Sequence, residues 1–128
     1  MPVELQYLVW TVALAFIQMI VAVSGAILEL GLPKLADNRE GLPDPKGWAG
    51  RARRAHFNML ESLVLFAALV LVAVEAHQTN GMTALGAKIF FWARLAYALV
   101  YLAGIPWIRT AIWGVSVVGL ILIFLQVM

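Results

Sequence analysis

Four long apolar runs dominate this chain, at about residues 5–30, 55–77, 83–104 and 107–127. A helix needs ~20 mostly apolar residues to cross a bilayer, and each run reaches that length. The 128 residues are 63% hydrophobic and 12% charged. Soluble domains are roughly half apolar and about a quarter charged, so no single core of this size could hide the surplus. The expectation is an all-α, multi-pass integral membrane protein with one domain over residues 1–128. Short turns at Gln78–Gly81 and Gly104–Pro106 force antiparallel neighbours, which makes the architecture a four-helix bundle. The first run follows no basic segment and is longer than a signal-peptide core, so it reads as a retained span.

Residues 31–54 form the one long polar connection. It holds Pro33, Pro43 and Pro45 with Gly31, Gly41, Gly47 and Gly50, all turn formers, and reads as a loop throughout. Lys34, Arg39, Lys46, Arg51, Arg53 and Arg54 lie in it. Neither terminus has Lys or Arg. The bias of basic residues toward the cytoplasm then predicts that this loop faces it and both termini face away. Trp48 is a candidate interface anchor, and Trp92, Trp107 and Trp113 read as lipid-facing or packing residues. Ser24, Gly25 and Ala26, late in the first span, suit close helix packing. Glu29 reads as an interfacial charge.

The polar residues inside the spans carry the functional information. On a helix, Arg51, Arg54, Asn58 and Glu61 project from one side, and His56 points roughly to the other. Arg94, Tyr97 and Tyr101 share a face of the third span. Arg94 lies about ten residues from the cytoplasmic end, roughly 15 Å deep at ~1.5 Å per residue. An unpaired guanidinium there costs at least ~3 kcal/mol, so a partner is expected. Glu61 is the best candidate, either in a purely structural ion pair or as part of a ligand site. With Arg109 at the start of the fourth span, these groups describe a cationic pocket suited to a small carboxylate ligand, since guanidinium grips carboxylate with two parallel hydrogen bonds.

Other chemistries are poorly served. The chain has no cysteine, which removes disulfides, thiolate nucleophiles and thiolate metal sites. His56 and His77 stand alone and far apart, too few ligands for a metal. The basic run is too short and too bound to the bilayer for nucleic acid.

Arg51-x-x-Arg54-Ala-His56-x-Asn58-x-x-Glu61 resembles the signature of the MAPEG family, membrane-associated proteins in eicosanoid and glutathione metabolism. Arg94-x-x-Tyr97-x-x-x-Tyr101, followed by Arg109, resembles its second motif. The likeness runs over all four spans. It implies a homotrimer with glutathione, as co-substrate, bent between neighbouring subunits near the cytoplasmic side. Arg54, Asn58, Glu61, Tyr97 and Tyr101 would bind it, with Arg94 supporting the site and His56 reaching it from the adjacent subunit. Arg109 would be catalytic, lowering the pKa of the thiol. Thr110 stands where a serine serves in the prostaglandin branch. The implied activity is that of a microsomal-type glutathione transferase or peroxidase, acting on apolar electrophiles from the lipid in detoxification. Its alternative is a non-catalytic glutathione- or lipid-binding protein on the same scaffold. Two positions depart from the pattern. The synthases carry an arginine late in span one, where this chain reads Ile27-Leu28-Glu29-Leu30, and a tyrosine found after the glutamate in some members is Ser62.

Overall fold

The computed structural model describes all 128 residues. The chain forms five helices: α1 (Val3–Leu30), α2 (Leu32–Ala36), α3 (Gly47–Glu75), α4 (Gly81–Ala103) and α5 (Pro106–Val127). α1, α3, α4 and α5 are long and apolar enough to cross a membrane. Helices are the natural choice there, because a helix satisfies its own backbone where no water can.

The helix ends explain themselves locally. Asn80 caps α4 by accepting from the backbone N–H of Met82 and Thr83, while the Thr83 hydroxyl accepts from the Asn80 N–H. This reciprocal cap satisfies two donors that a helix start leaves free. Gly104 ends α4 in the left-handed region, at φ 84°, where a Cβ would be strained. Pro106 then opens α5, its fixed φ and missing N–H costing nothing in a first turn.

Two boundaries differ from the sequence expectation. The connection is not loop throughout, since Leu32–Ala36 is helical and α3 begins at Gly47. Hydropathy marks where lipid begins, whereas the helix runs about two turns beyond it. Arg51, Arg53 and Arg54 therefore sit on a helix. Glu29 helps fix that start: both its carboxylate oxygens accept from the Lys46 N–H, at 2.9 and 2.7 Å. It joins the end of α1 to the start of α3 and is more than an interfacial charge.

α1 packs along α3 and α4 along α5, and contacts between α3 and α4 join the two pairs. Gly25 lies buried on α1 against Ala49 and Trp48 of α3, the close approach its small neighbours suggested. α4 and α5 cross still more tightly. A Cβ at Gly86 or at Gly119 would come within 2.7 Å of the other's carbonyl oxygen. Hydrophobicity cannot hold helices together in lipid, so such close packing must.

The apolar core fills the half of the bundle away from the 37–46 connection. Phe66 of α3 stacks on Phe90 of α4 at 4.1 Å between centroids, with Val70, Ala87, Leu120 and Ile123 buried around them. At that end a polar tie also closes the bundle. The Thr83 hydroxyl donates to the buried carboxylate of Glu4 at 2.9 Å, and Asn80 donates to Gln126 at 2.8 Å. The other half holds the polar side chains that the motifs singled out.

Candidate functional site

α3 and α4 run antiparallel, so residues climbing one helix meet residues descending the other. The first two turns of α3 meet the last two turns of α4. Arg51 Nε donates to the Leu102 carbonyl at 3.0 Å. One turn on, Arg54 Nε donates to the Tyr101 hydroxyl at 3.2 Å. One turn further, Arg94 Nη2 donates to Asn58 Oδ1 at 2.8 Å. The shared face expected for Arg51, Arg54 and Asn58 is therefore the face packed on α4.

Two guanidinium–phenol pairs extend the cluster. Arg94 lies 4.2 Å from the centroid of Tyr97, and Arg109, arriving from α5, lies 4.3 Å from that of Tyr101. The rings meet edge to face at 5.5 Å. Cation–π contacts hold each charge over the electron-rich ring face at little cost in hydrogen-bonding capacity. The donors of Arg109 are thus positioned but not consumed. The Tyr97 phenol lies within electrostatic reach of Arg94, Tyr101, Arg109 and Glu61.

The expected ion pair between Glu61 and Arg94 does not form. The salt bridge present in the chain joins Arg53 to Asp44. Three residues on from Asn58, the α3 surface has turned through ~300°, leaving Glu61 about 60° round from the Asn58 direction. Its side chain is exposed on the outside of the bundle. Arg94 is wholly buried, and its Nε and Nη1 have no hydrogen-bond partner. A buried cation is here held by one amide oxygen and one aromatic face, with no carboxylate opposite.

His56 lies away from this cluster, as its helical position required. It lines a groove between α1, α2 and α3 with Arg39, Arg53 and Phe57, and its buried Nδ1 is unpartnered. Of the motif residues, the single chain brings Arg54, Asn58, Arg94, Tyr97, Tyr101 and Arg109 together. Glu61 stands at the edge and His56 on another face. Thr110 is exposed and donates to its own helix at Pro106. Trp92, Trp107 and Trp113 are exposed on the outside of the bundle. Glu4 and Thr83, 79 positions apart, had no motif to announce them, whereas Gln18 stands out in the sequence as the one strongly polar residue inside the first span, and its amide is buried.

A family model described as the MAPEG family matches residues 7–128, nearly the whole chain. The chain belongs to the MAPEG family. Comparison with curated proteins and with solved structures brings no match. Membership agrees with the four apolar helices in making this a multi-pass integral membrane protein. It also ties the chain to a family associated with glutathione and eicosanoid metabolism. In MAPEG terms, the polar half of the bundle carries both motifs, and the α3–α4 packing is what joins them.

Proposed function

We propose that this MAPEG protein is a glutathione-dependent membrane transferase or peroxidase, with glutathione held over the α3–α4–α5 cluster. The observation that carries this reading is the uncompensated cation. Arg54, Arg94 and Arg109 converge with two phenols, and Arg94 is buried with two nitrogens unpartnered. Glutathione brings two carboxylates to such a cluster, plus an ammonium that the exposed Glu61 can receive. Asn58 and the tyrosine hydroxyls add neutral hydrogen bonds.

Arg109 is the catalytic residue in this reading. Its guanidinium hydrogen bonds are free, because the Tyr101 ring carries its position. A guanidinium beside the thiol favours the thiolate by charge and hydrogen bonding, and the thiolate is the nucleophile. The thiol proton passes to water. With a haloarene, the sulfur forms the new carbon–sulfur bond and halide leaves with its electron pair. The protein contributes orientation and charge, without a covalent nucleophile of its own.

The protein acts as a homotrimer, with residues 1–128 as one domain and the 37–46 connection on the cytoplasmic side. Both termini then face away. What supports the trimer is that Arg54 and Glu61 lie exposed on one protomer's flank, where a second subunit can close the site. His56, on another face, would reach glutathione from that neighbour. The test is conjugation of glutathione to a haloarene by the purified protein in lipid. Turnover that falls by about a hundredfold or more in Arg109→Ala is expected, in line with the loss of a single charge-stabilising donor. Turnover unchanged by that substitution overturns the assignment. Ligand-dependent thermal stabilisation without any turnover favours the non-catalytic alternative.

A further inference from the structure

On the opposite side of the α3–α4 pair lies a second cavity of about 220 Å³ between α1, α3 and α4. Its walls are Leu14, Ile17, Val21, Ala55, Ala98 and Leu99, with their apolar neighbours, and Gln18 is the one polar residue in the lining. Gln18 is only 8% exposed, and its amide oxygen has no hydrogen-bond partner. A buried amide left unpaired in an apolar wall is costly and uncommon. Water is a poor remedy, because an ordered buried water needs two to four polar partners and this cavity supplies one residue.

We infer that this cavity binds a small apolar molecule carrying one hydroxyl group, a phenol or an aliphatic alcohol, with the hydroxyl on Gln18. A hydroxyl both donates and accepts, so it satisfies the amide whichever way round the amide sits. The size suits such a ligand, since an apolar cavity of ~150 Å³ takes benzene. Ile17 and Leu99 are 59% and 64% exposed on the outside of the bundle, so the mouth opens sideways and the ligand enters from the hydrocarbon. Ala55 is the partition. It packs on Tyr97 and Tyr101 on one side and lines this cavity on the other. The cavity is thus separate from the cationic cluster, and its ligand is uncharged.

Fluorine NMR of the full-length protein in lipid nanodiscs tests this, with para-trifluoromethylphenol and trifluoromethylbenzene as probes and empty nanodiscs as the reference for partitioning. Saturable binding of the phenol, about tenfold tighter than that of the arene, is expected from one additional buried hydrogen bond. Gln18→Leu should abolish the preference and keep arene binding, and Gln18→Met should do the same if the leucine variant fails to fold. Ala98→Phe should fill the cavity and remove both. Phenol that never saturates on the wild-type protein, or a preference that survives Gln18→Leu and Gln18→Met, overturns the inference. Every arm omits glutathione, so the outcome stands apart from that of the arginine cluster.

Discussion

Arg94 reaches across from α4 to Asn58 of α3 through one hydrogen bond of 2.8 Å, and its other two guanidinium nitrogens are buried without partners. That relationship makes Asn58 both a structural tie and a gauge of the charge. Asn58→Leu removes the last hydrogen bond to a buried cation. It should cost about 1.5–3 kcal/mol, the range for a bond to a charged group, read as a lowered melting temperature in detergent. Asn58→Asp places a carboxylate against the guanidinium instead. It should raise the melting temperature of the ligand-free protein and weaken glutathione binding, because the charge is already met.

Glu61 should separate a ligand contact from an internal ion pair. It is exposed and makes no salt bridge with Arg94. Glu61→Gln should therefore change stability by no more than ~0.5 kcal/mol, as surface substitutions do. The same substitution should weaken glutathione binding by about tenfold, through loss of one charge-assisted contact to its ammonium. Calorimetry on one preparation reads both quantities.

The Thr83–Glu4 bond predicts the converse pattern. Thr83→Val leaves a buried carboxylate without its donor and weakens the α4 cap. A loss of about 1–3 kcal/mol is expected from the unsatisfied group. Conjugation by the folded protein should be unchanged, since this tie lies at the end of the bundle opposite the arginines.

Gly119→Ala should disturb the α4–α5 crossing, because the added Cβ would stand 2.7 Å from the Gly86 carbonyl oxygen and 2.9 Å from the Phe90 nitrogen. Those are backbone atoms that cannot step aside. Overpacking of this kind costs typically ~1–3 kcal/mol. Arg109 rides on α5, so the substitution should also reduce turnover in the protein that remains folded.

The spans, their antiparallel order and the faces of α3 and α4 were all legible in the sequence. Each depends on local periodicity or on the length of an apolar run. His56 could be placed opposite Asn58 for the same reason. The start of α3 was not, because Gly47, Gly50 and the arginines look like loop to any measure of hydropathy. Nor was the partner of Arg94. Periodicity says which residues share a face, but not how far one helix is rotated against the next. A turn of about 60° separates Glu61 from Asn58, and it decided which of them meets the guanidinium. Glu4 with Thr83, and Gln18 beside its cavity, depend on tertiary contacts that no local pattern encodes.

In the proposed function, Arg54 and Arg109 hold glutathione and stabilise its thiolate, with the buried charge of Arg94 behind them. Titration of the purified protein with glutathione at neutral pH, followed by thiolate absorbance, tests it most directly. A saturable thiolate signal is expected, lost in Arg109→Ala while glutathione still binds. Glutathione bound with its thiol protonated, or a thiolate signal that persists undiminished in Arg109→Ala, would contradict it.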